Sequence, residues 1–465
     1  MHPTTAQPSA FIGILIIGLG AALGPLDFAV NVAFPAISAA FKLGTGGIRW
    51  VAIVYVLTYG CLLLASGRLG DAIGHRRVFQ AGLGFAAAAY VLCALAPTYA
   101  WLLAARVLQG VAVALLLASG PALATGLFDE SRRTWALGVY ASVAGAAGIV
   151  APLIGGASIA IMGWSGVYWF RVPIALFTLL CLRLVPHARK AGSRPGFNAG
   201  GALLLAAAIA LLLIAPTLID VHLAAAAVAA VAGALLIVGA SRQRRTGEAP
   251  LIARAILTDP RFFLPNFGSV TVHLTSFTIP LTAPYYFARV AGYDAPGIGA
   301  ILAVWAVGAL AASLAAARLV AALGVRRAAF AAGVLMTLGL FMMTLWTAQP
   351  QRGLMIATFI IHGLGIGLFQ VAYTDLVVAS LPRQDRGVAG GLSNLTRTVG
   401  LVIGAAAFSA ILRSVEAAQA AAGALPIAAF QAGFHAVFLV AAAIIGAFFL
   451  GTAWVRGVWF ERPIG

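Results

Sequence analysis

Gly67-Arg68-Leu69-Gly70-Asp71-Ala72-Ile73-Gly74-His75-Arg76-Arg77 lies where one long apolar segment ends and the next begins. These eleven residues hold three glycines, one carboxylate and three arginines, in a chain only 9% charged. Charge at that density belongs in water or at lipid headgroups, so the stretch reads as a short connection between two membrane helices. The pattern recurs about 250 residues later as Ala317-Arg318-Leu319-Val320-Ala321-Ala322-Leu323-Gly324-Val325-Arg326-Arg327. Arg68 matches Arg318, Leu69 matches Leu319, Gly74 matches Gly324, and Arg76-Arg77 matches Arg326-Arg327. The chain is therefore expected to consist of two related halves. Asp71 is replaced by Ala321 in the second copy, so the first copy is expected to carry a role the second has lost.

Composition points the same way. A hydrophobic fraction of 62% and a mean hydropathy of +1.02 exceed what a soluble fold can hide, soluble chains being roughly half apolar. With 53 glycines, helices can approach closely where small residues face one another. The three cysteines, Cys61, Cys93 and Cys181, fall inside apolar runs without ligand spacing, which argues against disulfides or a metal site. The net charge of +17 is a topology signal rather than a sign of nucleic acid: about 21 of the 29 Lys and Arg fall in one alternating set of loops. Those loops are expected to be cytoplasmic. The first apolar segment reads as a retained helix, because no small-residue cleavage site precedes a soluble domain.

At about 20 apolar residues per span, roughly fourteen helices are expected. The first six run over about 11–40, 50–70, 78–97, 100–127, 134–162 and 166–186. Two more, about 198–218 and 221–240, follow a basic linker, and Pro250 to Leu257 reads as an amphipathic helix on the cytoplasmic surface. The last six run over about 262–289, 296–320, 326–348, 353–381, 387–413 and 428–455. The organisation is an all-α integral membrane protein: an amino-terminal six-helix bundle (1–190), two added helices (191–245), a connector (246–261) and a carboxy-terminal six-helix bundle (262–465). An even helix count puts both termini in the cytoplasm of a multi-pass protein of the cell (inner) membrane.

With these positions fixed, the chain resembles the major facilitator superfamily, and within it the fourteen-helix drug:proton antiporters. Gly67 to Arg77 is similar to the family's loop between helices two and three. Leu26-Asp27-Phe28-Ala29-Val30-Asn31-Val32-Ala33-Phe34-Pro35 is similar to its first-helix motif, with Ala29 where Thr is usual. Trp50 and Tyr55 match the residues that open helix two, and Arg106-Val107-Leu108-Gln109-Gly110 the helix-four motif. Gly148-Ile149-Val150-Ala151-Pro152-Leu153-Ile154-Gly155-Gly156 resembles the antiporter motif of helix five, with Ala151 where Gly is usual. In helix six, Arg171-Val172-Pro173 replaces the usual Asn-x-Pro. The resemblance implies a major facilitator fold of two pseudo-two-fold-related bundles, in which helices one and four meet. It also implies that Gly67, Gly70, Asp71, Gly74, Arg76 and Arg77 latch the halves together on the cytoplasmic side, facing the glycines at Gly387, Gly390 and Gly391. Asp71 is expected to pair with a basic neighbour such as Arg76.

Ionisable groups deep in a bilayer are functional suspects. Of the 12 acids, Asp27 and Asp375 fall inside expected spans. Asp27 follows about sixteen residues of helix one, near the bilayer middle, and Gly24-Pro25 before it permits a bend. Burial favours a neutral carboxylate and a nearby guanidinium a charged one. Asp27 with Arg106 is thus the candidate proton-coupling pair, the alternative being a static ion pair that fixes helix packing. Asp375 is either a second proton or substrate site or a carboxylate reaching the interface beside Arg383 or Arg386. Trp50, Tyr55, Gln109, Arg171, His273, His362, Gln370, Tyr373, Asp375, Asn394 and Arg397 are candidate cavity residues, and Tyr285 and Tyr286 read as an outer interface belt.

These features predict a proton-coupled exporter of drugs or small metabolites working by alternating access. The proton is the coupling ion, with no other cofactor and no metal, and the protein is a monomer in the bilayer that does not bind nucleic acid. No Gly-rich phosphate loop is present, so ATP is not expected to drive it, and no nucleophile, base and oxyanion set marks an enzyme. Three expected buried arginines, Arg106, Arg171 and Arg397, against two acids allow an importer of an anionic or zwitterionic metabolite as the alternative. A non-transporting ligand sensor is the remaining reading.

Overall fold

The computed structural model describes residues 8–44, 47–129, 132–185, 260–380, 386–455 and 457–460, with short helical pieces between 204 and 234. The helices expected at 198–218 and 221–240 lie largely outside the described residues, and the surface helix at 250–257 wholly so. The described part is helical, and the chain divides into two compact units, one built on the helices before residue 185 and the other on those after residue 260.

In the first unit the opening span is broken. α1 (Pro8–Ala22) gives way to a 3-10 turn at Pro25–Asp27, then to α2 (Phe28–Val32) and α3 (Phe34–Ala40). Pro25 and Pro35 lack the amide hydrogens a continuous helix needs, so the chain bends at the residues flanking Asp27. There follow α4 (Arg49–Ile73), α5 (His75–Ala94), α6 (Tyr99–Gly126), α7 (Arg133–Met162), α8 (Gly166–Trp169) and α9 (Arg171–Cys181). The side chain of Thr98 caps α6 by accepting from the Trp101 amide at 3.2 Å. Gly163, at φ 67°, ends α7, and the chain turns back so tightly that a Cβ on Gly166 would collide with the Ser158 carbonyl. Within this unit α5 packs along α6 and α9, and the pieces of the first span lie against α7.

The second unit repeats the plan with α10 (Pro260–Ser276), α11 (Thr278–Arg289), α12 (Ala295–Leu323), α13 (Val325–Met343), α14 (Arg352–Ser380), α15 (Arg386–Ala421) and α16 (Pro426–Ala453). α14 packs against α12 and α13, and α15 against α10 and α16. α15 runs to Ala421 rather than 413, because nothing in its Ala-rich end stops a helix before Gly423 at φ 85°. Nine of the described helical runs are long and apolar enough to cross a membrane, or ten with the bent pair 49–63 and 65–73, and one of them, 135–184, contains the Gly163 turn. Large apolar side chains such as Ile161, Leu314 and Leu450 are exposed, as suits hydrocarbon surroundings.

The stretch from Gly67 to Arg77 is not the loop expected from its charge. α4 stays helical to Ile73, and the whole connection is Gly74, at φ 102°. Gly324 does the same between α12 and α13 at φ 81°, a backbone region that costs other residues steric strain. Asp71 bonds forward to His75 at 3.1 Å, one turn on and across the break. Arg76 donates to the carbonyls of Leu182 and Val185, both at 2.6 Å, and so satisfies the end of the sixth span. Its repeat partner Arg326 donates to the Val458 carbonyl at 2.8 Å, just beyond α16.

Candidate functional site

The polar centre of the first unit forms where the opening span breaks. Because the 3-10 turn replaces a helical one, Asp27 projects toward α6 and α9, and 13% of its side chain stays accessible. Arg106 meets it with a fork: Nη1 donates to Oδ1 at 2.6 Å and Nη2 to Oδ2 at 2.8 Å. Arg106 Nε donates to the Val51 carbonyl of α4 at 2.8 Å, and Gln109, one turn along α6, bridges the pair through Oε1 and Nε2, each at 2.8 Å. A second guanidinium joins from α9, where Arg171 Nη1 donates to Asp27 Oδ1 at 2.8 Å and Nε holds the Val167 carbonyl at 2.8 Å. Tyr55 lies under Arg106 at 4.4 Å, and Tyr90 and Tyr168 face Arg171 at 4.7 and 5.2 Å. These ring faces attract the cations.

Helix five closes the site from the other side. A Cβ on Gly155 would lie 2.8 Å from the Ala29 Cβ, and one on Gly148 3.9 Å from Pro25, so the motif glycines let α7 rest on the broken segment. Gly156 is buried beside them, with Pro152 inside the same helix. Gly110 does the equivalent for α6, since a Cβ there would meet the Tyr55 carbonyl at 2.9 Å.

The second unit repeats that last contact without the charge. A Cβ on Gly363 would collide with the Trp305 carbonyl. His362, beside it, occupies the Gln109 position and is fully buried, and three residues earlier Phe359 stands where Arg106 does in the first unit. Trp305 Nε1 donates to His362 Nδ1 at 3.0 Å. An indole N–H only donates, so the neutral imidazole carries its proton on Nε2 and donates to Ser276 Oγ at 3.4 Å. His273 is oriented the other way, with Nδ1 donating to the Ser269 carbonyl at 2.8 Å. The Tyr373 hydroxyl donates to Asn266 Oδ1 at 2.9 Å and lies 3.0 Å from Thr396 Oγ1, which is 3.1 Å from Ser269 Oγ. The side chains of this cluster are polar and uncharged, with Gln370 bonded to His273 and the Arg397 cation nearby.

Asp375 and Gln370 are exposed, and Trp50, Asn394 and Arg397 are half-buried. The expected trio of buried arginines therefore changes membership: Arg397 is replaced by Arg49, which is 3% exposed. Tyr285 and Tyr286 are buried rather than set in an interface belt, because Tyr286 stacks with Phe434 at 4.9 Å, meets the tilted Trp346 ring at 5.1 Å and donates to the Thr347 carbonyl. Tyr90, Tyr168, Trp305 and Thr396 were not foreseen. Two carried a signal: Tyr168 stands one helical turn before Arg171, and Trp305 stands at the Tyr55 position of the repeat.

Comparison with known proteins places this architecture. Residues 10–405 and 266–463 match the sequence profile of the Major Facilitator Superfamily. The chain is 25% identical over 401 residues to riboflavin transporter RibZ of Clostridioides difficile (strain 630), covering 86% of this chain and 87% of that one. It is 29% identical over 422 residues to multidrug efflux pump LfrA of Mycolicibacterium smegmatis, covering 88% and 82%. The solved structure of nucleoside transporter NupG superposes with a TM-score of 0.69 at 10% identity, covering 97% of this chain and all of that one. That likeness concerns fold alone. With a profile match spanning both halves and a polar site at a broken membrane helix, the chain belongs to the Major Facilitator Superfamily of multi-pass membrane transporters of small molecules and is not an enzyme.

Proposed function

We propose that this protein is a proton-coupled secondary active exporter of drugs or small metabolites, of the fourteen-helix drug:proton antiporter kind, working by alternating access as a monomer. It lies in the inner membrane with both termini cytoplasmic, and its two six-helix bundles flank an added helix pair and a cytoplasmic connector. The observation that carries the reading is Asp27, the most enclosed carboxylate among the described residues, at the break of the first span and held by two arginines. Export is supported by relatives named as a multidrug efflux pump and as the tetracenomycin C resistance and export protein of Streptomyces glaucescens.

The charged carboxylate ties α6 and α9 to the bend, and through Arg106 it also ties α4. A proton arriving from outside neutralises Asp27, weakens both guanidinium bonds and frees those helices to rearrange toward the inward-facing state. Loss of the proton to the cytoplasm restores the clamp. Each proton entering contributes about 2.3 kcal/mol per 100 mV and about 1.4 kcal/mol per pH unit. The Gly67–Arg77 segment acts as the cytoplasmic latch, with Arg76 anchoring it to the end of the sixth span.

The test uses proteoliposomes with an interior pH dye and a panel of cationic, neutral and anionic compounds. Proton flux evoked by a compound in the intact protein and abolished in Asp27→Asn supports the reading. Compound flux that persists unchanged in Asp27→Asn removes Asp27 as the coupling site.

A further inference from the structure

The charges at the break of the first span do not cancel. Arg106 and Arg171 are 1% and 0% exposed, and the one carboxylate they reach is shared between them. The other described carboxylates of this unit, Asp71 and Asp129, are exposed. With Asp27 ionised the cluster therefore holds one positive charge in excess. Aromatic faces soften such a charge without neutralising it, and an uncompensated ion away from water is strongly disfavoured.

A second observation lies in the same place. Arg171 Nη2 and the Tyr168 hydroxyl are both buried without a hydrogen-bond partner among the described residues. Buried donors are nearly always satisfied, and a guanidinium edge is shaped for a planar anion. The Tyr168 ring faces the same guanidinium at 5.2 Å. Two idle donors call for an acceptor, and the excess positive charge beside them favours one that is an anion.

We propose that Arg171 Nη2 and the Tyr168 hydroxyl bind an anionic group, a carboxylate or phosphate, carried by the transported substrate. The proposal deepens the transport reading above and rests on it for the identity of the ligand as substrate. A free inorganic anion such as chloride has the same chemistry and is the other source of the charge. With Asp27 ionised and the anion bound, two guanidinium groups meet two anions and the cluster is neutral. Arg106 keeps its fork on Asp27, so the substrate adds to the ion pair rather than replacing it.

The test is equilibrium binding to the purified full chain in detergent, read by fluorescence anisotropy with two dyes of one xanthene skeleton: anionic fluorescein and cationic rhodamine 123. Intact protein binds fluorescein more tightly, by about tenfold, the size expected of one charge-assisted contact. Arg171→Gln weakens fluorescein by about tenfold and does not weaken rhodamine 123. Tyr168→Phe weakens fluorescein by a smaller factor. Arg171→Gln leaves Asp27 paired with Arg106; should it fail to fold, Arg171→Lys keeps the charge without the fork and still loses part of the fluorescein affinity. Tighter binding of rhodamine 123, binding of neither dye, or fluorescein affinity unchanged in the Arg171 variants overturns the proposal. Displacement of fluorescein by chloride at about the physiological ionic strength of 0.15 M assigns the donors to a free ion and overturns the substrate assignment. Binding is measured without a gradient, so failure of proton coupling in liposomes and failure of anion recognition are separate results.

Discussion

Replacing Asp27 with Asn removes one charge and almost no volume, so its effect isolates the electrostatics of the break. The substitution strips Arg106 of a fork at 2.6 and 2.8 Å and Arg171 of a bond at 2.8 Å. Removing one partner of a buried ion pair costs about 3–5 kcal/mol. The amide oxygen still accepts from one guanidinium, and a hydrogen bond to a charged group contributes about 1.5–3 kcal/mol, which offsets part of the loss. The expected net destabilisation of Asp27→Asn is about 2 kcal/mol. Unfolding in detergent at a fixed heating rate, followed by tryptophan fluorescence, reads this as a drop of about 2 °C or more. Adding Arg171→Gln to Asp27→Asn lowers the surplus charge again and should recover part of the loss, a coupling that independent sites do not show. Unfolding of Asp27→Asn within about 1 °C of the intact protein would refute the reasoning, because the carboxylate would then not hold the helices together.

Gly155→Ala puts a methyl group 2.8 Å from the Ala29 Cβ; overpacking of about 1–3 kcal/mol should lower the unfolding temperature and slow transport in liposomes. Gly74→Ala and Gly324→Ala have open space for the methyl group, but ψ of 126° and 150° puts both outside the αL region that Asn tolerates, so each should cost the backbone strain of about 1–3 kcal/mol and Gly→Asn as much as Gly→Ala; a clear rescue by Asn would contradict this. Trp305→Phe leaves His362 Nδ1 without its donor, and nitrogen NMR of the histidines should show the Nε2–H tautomer losing its dominance, with about 1–3 kcal/mol of stability lost.

The described spans were legible because each needs a long apolar run, and the breaks near Asp27 and between α10 and α11 carry their prolines openly in the sequence. What the sequence hid was helical phase. Successive residues turn by about 100°, so an error of one or two places decides whether a polar side chain faces a neighbour or its surroundings. Asp375 and Gln370 keep accessible surface for that reason, Gln370 while still bonded to His273, and Tyr373 between them is buried in the Asn266, Thr396 and Ser269 cluster. Tyr285 and Tyr286 have the composition of an interface belt, but their burial depends on Trp346 and Phe434, distant in sequence. The charge of the Gly67–Arg77 segment suggests a loop, whereas the helix runs on to Ile73 and breaks only at Gly74. Arg171 was visible as an unusual cation; its bond to Asp27, 144 residues away, was not.

The matched contacts at Gly110 and Gly363 show one chassis built twice, yet Phe359 sits where Arg106 sits in the other copy. On the proton-coupled reading, a single charge-exchanging centre sets the gearing of the machine. One proton exchanged for one neutral solute supports a concentration ratio of about tenfold per pH unit and about fiftyfold per 100 mV. An exported monoanion feels the same voltage itself, so the electrical factor is squared while the pH factor is unchanged. A substrate bearing the charge that Arg171 and Tyr168 are built to receive would thus be pumped against a far steeper gradient by the same single carboxylate.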